Sequence, residues 1–207
     1  MVQRISDRVI CLSKVKYAEA DLILKFISAG GEVYSVIAKS ALRSRKRFGG
    51  GVLEPTHHLA VTVSRRSSDE ISGVERLPVL QEATLLDDFA KLKTEYDRID
   101  MALQFVRIVS RAAREGDRHK ETFNLLGHSL RAAETSRELN FLRLQFQLKF
   151  LHLQGVLPPD ERFQSIVRVS VRDHERLEGE MTTQLGGLLD WHELATETSE
   201  RLEAYLN

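Results

Sequence analysis

The chain has 207 residues and no net formal charge, with 42% hydrophobic and 29% charged residues. These proportions are typical of a folded protein with a packed core, and the length suits one large domain or two small ones. The single cysteine, Cys11, excludes an internal disulfide framework and a zinc site built from several cysteines, and it favours a reducing compartment.

Residues 1–83 have the pattern of a small β domain. Five short strands with glycine-containing turns favour a barrel or a sandwich, and a barrel closes its own sheet edges. The clearest turn signal is Gly30-Gly31. Apolar, partly β-branched runs predict strands over residues 9–15, 22–27, 33–38, 59–63 and 71–77.

The hydrophobic period changes from Thr84 onward, where a helical domain is predicted over residues 84–207. Asp87 and Asp88 suit the first turn of a helix, because the helix dipole favours acidic side chains there. Apolar residues at helical spacing predict helices over residues 99–113 and 123–130.

Residues 139–153 are ambiguous, because Leu142-Arg-Leu-Gln-Phe-Gln-Leu-Lys-Phe150 alternates like a strand. This run has no β-branched residue and consists mainly of good helix formers, so a helix is favoured. On a helix, its apolar residues form two opposed stripes. We therefore expect a helix that packs between two partners.

The C-terminal residues predict a small irregular part. Residues 166–171 alternate and are β-branched, which favours a strand. Gly186-Gly187 interrupts the chain, and residues 191–206 predict a last helix. The predicted fold class is α+β, with a five-stranded N-terminal barrel followed by an α-helical domain.

A basic segment, residues 39–66, is the main anomaly on this neutral chain, since it holds seven basic residues and one acid, Glu54. Concentrated positive charge on a neutral protein indicates a polyanionic partner, most simply nucleic acid, although charged loops are often only solvated. Phe48 suits either stacking on a base or anchoring the loop, and the anchor is slightly favoured. The candidate phosphate contacts are Arg43, Arg45, Lys46 and Arg47, with Lys39, Arg65 and Arg66 at the flanks and Lys14 and Lys16 as a weaker second point.

No catalytic or metal-binding constellation is found in the sequence. Cys11 lies in an apolar strand, which favours an inert core residue. His57 and His58 would point to opposite faces of a strand, which does not suit chelation. We therefore expect a protein that is not an enzyme and has no cofactor or metal.

A second candidate site is Arg107, Arg111 and Arg114, whose spacing places them on one side of a helix. An apolar groove bordered by these bases would suit an acidic-apolar peptide. The alternative is a solvated helix face.

The order of several short motifs resembles the bacterial recombination-repair mediator family RecO. The motifs are Ala20-Asp-Leu-Ile-Leu24, Gly31, the run from Val36-Ile-Ala-Lys39 to Phe48-Gly-Gly50, and Leu53-Glu-Pro55. This chain has Ser40 where glycine is usual and Leu42 where a base is common. Many relatives carry a four-cysteine zinc module near residues 158–163, where this chain has no cysteine.

The resemblance implies an N-terminal OB-fold, a helical domain and a cytoplasmic, nucleoid-associated protein. It implies binding to single- and double-stranded DNA, annealing of complementary strands and assistance to RecA loading. The implied partners are RecR, RecA and the acidic C-terminal tail of the single-stranded-DNA-binding protein, SSB. Two alternatives stay open: a protein-interaction adaptor that binds DNA weakly, and an RNA-binding OB module.

Overall fold

The computed structural model describes residues 2–66, 77–113, 119–173 and 191–207. Its contacts divide the chain into two compact units, one of residues 1–88 with 113–123 and one of residues 89–112 with 124–207. No described helix is both long enough and apolar enough to cross a membrane.

The first unit contains a closed barrel with the strand order β1-β2-β3-β5-β4. Every pairing is antiparallel except β3 with β5, which is parallel at Ile37 and Val79. The α+β class, with a five-stranded N-terminal sheet followed by helices, is confirmed. The strands are β1 (Val2–Tyr17), β2 (Asp21–Ser28), β3 (Val33–Ala38), β4 (His58–Arg66) and β5 (Val79–Asp87), and a one-turn helix, α1 (Arg45–Phe48), lies between β3 and β4.

The barrel forms because alternate strand residues are apolar and point inward. On β2 the inward residues Leu22, Leu24 and Phe26 are at most 6% exposed. A β-bulge between Cys11 and Ser13 interrupts β1, which lets this long strand pair with β4 before the bulge and with β2 along its second half.

The fifth described strand, β5, follows the segment in which the sequence predicts a strand. The predicted strand over residues 71–77 lies almost wholly outside the described residues, and β5 occupies Val79–Asp87. The prediction that Asp87 begins a helix is wrong, because Asp87 pairs with His58 of β4. Asp87 lies in a strand and not in a helix because β5 completes the barrel between β3 and β4.

The second unit is helical. The described helices of the chain after the barrel are α2 (Tyr96–Ala112), α3 (Lys120–Ala133), α4 (Leu139–Leu153), α5 (Glu161–Arg168) and α6 (Trp191–Leu206), with 3₁₀ turns at Ala90–Thr94 and Val171–Asp173. The predictions over residues 99–113, 123–130, 139–153 and 191–206 are confirmed as helices. Residues Lys120 to Phe123, the start of α3, belong to the first unit.

Helix α4 is apolar on two sides and is buried on both. On one side, Phe146 stacks on Phe105 of α2 at 4.1 Å between ring centroids. On the other, Leu144 and Leu148 pack with Phe163 of α5. The predicted pair of opposed stripes is therefore confirmed, with a different helix against each.

The predicted strand over residues 166–171 is wrong. Residues up to Arg168 belong to α5, whose N-cap Asp160 accepts a hydrogen bond from the amide of Arg162. Phe163 and Ile166 are fully buried at a spacing of three residues, which only a helix provides. Packing of these two side chains against α4 outweighs the local β preference of the valines.

Candidate nucleic-acid interface

Two hydrogen bonds tie the basic segment to the turn between β1 and β2. The amide of Ser40 donates to the Asp21 carboxylate (2.7 Å), and the amide of Leu42 donates to the carbonyl of Ala20 (3.0 Å). Ser40 has a φ of 55°, in the left-handed region that favours glycine. The Asp21 contact helps to offset this strain, which explains how serine is tolerated at this position.

Helix α1 presents the centre of the basic segment on a single turn. Ser44 caps it by accepting from the amide of Arg47 (3.4 Å). The Arg47 guanidinium donates to the carbonyl of Lys39 (2.7 Å) and lies over the Phe48 ring, 4.9 Å from its centroid. Arg47 therefore stabilises the loop, besides adding positive charge to it.

Phe48 anchors the loop in the barrel. It is 2% exposed and belongs to the barrel core together with Leu53 and Leu59. This burial favours the anchoring role, and the alternative role of Phe48, stacking on a nucleic-acid base, stays a prediction.

Lysines provide the open positive charge of the segment. Lys39 and Lys46 are exposed, and neither makes an ion pair with a described residue. Lys16, near the end of β1, is exposed in the same way. The side chains of Arg45 and Arg66 lie outside what the structure describes.

Two other predicted contacts are already paired with acids. Arg43 contacts Glu19 of the β1–β2 turn (2.9 Å), and Lys14 contacts Glu54 (2.5 Å). The Arg43–Glu19 side chains are 71% and 87% exposed, so their pairing is worth little and a phosphate can replace the glutamate. Glu19 lies 24 residues before Arg43 in the chain, and sequence reasoning missed this pair.

Arg65 lies in β4, at the C-terminal end of the basic segment. Ser64 of β4 and Ile37 of β3 both pair with Val79 of β5. Strand β5 therefore separates the backbone near Arg65 from the end of β3. Burial raises the pKa of the Tyr34 phenol, and the positive charge of Arg65 lowers that pKa in part. The predicted flanking role of Arg65 stays a prediction.

Cys11 and His57, the residues considered for catalysis or metal binding, are both buried and have structural roles. Cys11 is fully buried, and burial raises the pKa of its thiol to about 12, so no thiolate forms near neutral pH. The buried His57 ring places Nδ1 2.9 Å from the carbonyl of Val52, which ties the loop to the start of β4. No group of three or more potential metal ligands occurs among the described residues.

Comparison with known proteins assigns both halves of the chain to one family. Residues 1–83 match the family model "Recombination protein O N terminal", and residues 93–161 match "Recombination protein O C terminal". The chain belongs to the RecO family. All the candidate DNA contacts lie within the N-terminal RecO match.

Curated relatives are named DNA repair protein RecO. Those of Maridesulfovibrio salexigens and Desulfosudis oleivorans are 27% and 28% identical, over 74% and 87% of this chain and 60% and 66% of their own lengths. The relative from Anaeromyxobacter dehalogenans is 28% identical over 72% of this chain and 56% of its own length. The chain thus spans about 60% of the length of these RecO relatives.

The predicted peptide site lies within the C-terminal RecO match, and its arginines already contact acids of their own unit. Arg107 is 3.7 Å from Asp100, and Arg111 is 3.8 Å from Glu203 of α6. Arg114 lies outside the described residues. The site stays a prediction, in which an incoming carboxylate would have to displace Asp100 and Glu203.

A second basic feature of the helical unit is a cavity of about 390 Å³ between α3, α4 and α5. The described residues of its lining include no carboxylate, and Arg172 donates to the ring nitrogen of the lining residue His128 (3.0 Å). Burial lowers the pKa of Lys149, whose ammonium group donates to the carbonyl of Val167 (2.5 Å). The lining is Leu125, His128, Lys149, His152, Leu153, Gln164, Val167, Arg168, Ser170 and Val171.

Proposed function

We propose that this RecO-family chain acts in DNA repair and recombination by binding DNA, annealing complementary strands and assisting RecA to load on SSB-coated DNA. The observation that carries the proposal is the exposed positive charge of Lys39 and Lys46, held on a loop that Phe48 anchors in the barrel core. A fixed loop presents cations at a constant spacing, which suits the repeating charge of a phosphate backbone. The names of the relatives support a repair role.

The proposed mechanism of annealing is electrostatic. Two complementary strands repel each other through their phosphates, and cations held between them lower this repulsion. Base pairing then supplies the sequence specificity, so the protein needs no base readout and no catalytic residue. The proposed partners are single- and double-stranded DNA, RecR and the SSB tail.

We expect DNA affinity to fall steeply with salt. Each phosphate contact contributes about −0.7 to the log–log slope for single strands, so three to five contacts give a slope of roughly −2 to −3.5. Fluorescence anisotropy with an unlabelled-competitor control measures the slope, and a strand-annealing assay with and without SSB measures the activity. A slope near zero would contradict the proposal, and a clear preference for RNA in competition would favour the RNA-binding alternative.

A second candidate function, binding of the SSB tail, is favoured by the basic cavity. Apolar side chains and several basic groups converge there, with no carboxylate among the lining residues that the structure describes, which suits an acidic peptide that also carries apolar residues. This site differs from the predicted one at Arg107 and Arg111, where acids are already present.

Charge reversal at a single arginine distinguishes the cavity from the site at Arg107 and Arg111 as the place where the peptide binds. Arg168→Glu is expected to weaken binding of an SSB-tail peptide about tenfold, because it places a like charge beside the peptide's acids. Arg168 is exposed, so the fold should tolerate the change. Arg111→Glu serves as the comparison: if it alone weakens peptide binding in a titration, the site lies on α2.

A further inference from the structure

The basic cavity of the helical unit contains a pair of side chains, His128 of α3 and Arg172 of the second 3₁₀ turn, that depends on the protonation of the histidine. Arg172 Nε lies 3.0 Å and Arg172 Nη2 2.6 Å from the same ring nitrogen, His128 Nε2. A guanidinium group only donates hydrogen bonds, so Nε2 accepts and the ring carries its proton on Nδ1. A protonated imidazole has no acceptor nitrogen. The pair therefore exists only while His128 is neutral.

The surroundings of His128 keep its ring neutral in the free protein. Burial lowers the pKa of His128, and the positive charge of Arg172 lowers it further. From the other elements around the cavity, Lys149 and His152 of α4 and Arg168 of α5 face the same space. Among the lining residues that the structure describes, none is an acid that would favour the protonated ring.

A carboxylate that enters the cavity would reverse these conditions. It accepts from a guanidinium more strongly than a neutral ring nitrogen does, because the bond is charge-assisted and can form at both oxygens. Arg172 is exposed, so its side chain can turn toward such a ligand without disturbing the core. His128 Nε2 would then lose both donors, and the negative charge beside it would favour the imidazolium form, which donates to the carboxylate.

We propose that Arg172 exchanges His128 for a carboxylate of an acidic peptide, and that His128 then takes up one proton from the solvent. The inference rests on peptide binding in the cavity, the second function proposed above, and adds regulation of that site by pH. The bound state holds a proton that the free state lacks, so affinity rises as the pH falls through the pKa of His128 in the complex. Affinity becomes constant again below the pKa of the free protein, which lies under the ordinary histidine value of 6.5.

The test titrates an SSB-tail peptide into the full chain by calorimetry at several values between about pH 8 and pH 5.5. We expect the affinity to rise about five- to tenfold toward acid pH, the effect of roughly one unit of pKa change from a nearby opposite charge. The peptide's own carboxylates titrate near about pH 4, so they stay ionised over this range.

Two glutamine variants assign the proton to one histidine. His128→Gln keeps an acceptor for Arg172 but cannot take up a proton, so its affinity should change less than about twofold over the same pH range. His152→Gln is the matched control, because His152 lines the same cavity and is exposed. It should keep most of the rise, since charge interactions of exposed groups are screened.

A second measurement needs no variant. Proton NMR of the His128 ring gives its pKa in the free chain and in the complex with the peptide, and this pKa should rise on binding. An unchanged pKa, or an equal pH dependence in wild type and His128→Gln, overturns the inference alone when Arg168→Glu shows that the peptide occupies the cavity. If the wild-type chain does not bind the peptide, or if only Arg111→Glu weakens binding, the second proposed function fails and the inference falls with it.

Discussion

The double variant Lys39→Glu/Lys46→Glu is expected to bind single-stranded DNA about 100-fold more weakly than the wild-type chain at moderate salt. Each reversed charge is expected to cost roughly 1.4 kcal/mol, since it removes one phosphate contact and adds a repulsion. The log–log salt slope should become shallower by about 1.4, because each single-strand contact contributes about 0.7. Anisotropy titrations at several salt concentrations measure both quantities.

These two lysines are better targets than the arginines of the same segment. Arg47 holds the loop through the carbonyl of Lys39 and the ring of Phe48, so its loss would confound charge with structure. Arg43 is paired with Glu19, so its reversal would add a repulsion within the protein. Lys39 and Lys46 have no such partner among the described residues.

A matched control changes the same net charge elsewhere. Lys91→Glu/Arg137→Glu replaces two exposed bases of the helical unit. It is expected to leave DNA affinity within about threefold of wild type, since exposed charges that make no direct phosphate contact are strongly screened by salt. Equal losses for the two double variants would mean that the overall charge of the protein, and not this loop, governs binding.

Local residue patterns were sufficient for most of the architecture. The two apolar stripes over residues 139–153 predict both the helix α4 and its burial between two partners, because 3.6-residue periodicity reports directly on packing. Inward-facing apolar residues on β2 and β3 likewise follow the predicted runs closely.

The two wrong assignments both involve a choice that local patterns do not determine. Asp87 looks like a helix start, but its strand is required by pairing with β4, 29 residues away at His58. The valines near residue 167 favour a strand, yet Phe163 and Ile166 bury on α4, and the buried Gln145 of α4 donates to the carbonyl of Val169 (3.2 Å). Tertiary contacts outweigh propensity at both places.

Local residue patterns likewise predicted only part of the candidate site. Its charge density was visible in the sequence, and so was Phe48 as an anchor. Glu19 was not, because the β1–β2 turn meets the basic segment through contacts between residues that are distant in the chain, such as the hydrogen bonds from Leu42 to Ala20 and from Ser40 to Asp21.

Gly31→Ala is expected to produce the largest loss of stability, lowering the free energy of unfolding of the barrel unit by about 2–5 kcal/mol. Gly31 has a φ of 86°, which strains any L side chain. A Cβ atom there would also lie 2.2 Å from the backbone carbon of His119 and 2.2 Å from the backbone nitrogen of Lys120. Backbone atoms cannot rotate away, so the start of α3 would have to move.

The adjacent Gly30 provides the control within the same turn. A Cβ on Gly30 would lie 3.5 Å from the Ser28 hydroxyl, an ordinary contact, and its φ is not in the left-handed region. Gly30→Ala is therefore expected to stay within about 0.5 kcal/mol of wild type. Denaturant unfolding of both variants measures the difference, and equal stabilities would contradict the close approach at Gly31.

The two alanine variants also test whether the close packing of Gly31 against His119 and Lys120 affects DNA binding. The carbonyl of Gly31 accepts a hydrogen bond from the amide of His119 (3.0 Å), so this turn holds the start of α3 within the barrel unit. Lys39 and Lys46 lie beyond the far end of β3, and Phe48 anchors their loop independently of this turn.

Hydrogen exchange should accordingly show loss of protection at the start of α3 in Gly31→Ala, because local opening follows the broken contact. Measured below its unfolding transition, the same variant should keep wild-type DNA affinity, and a large loss of affinity would show that the start of α3 supports the DNA-binding loop.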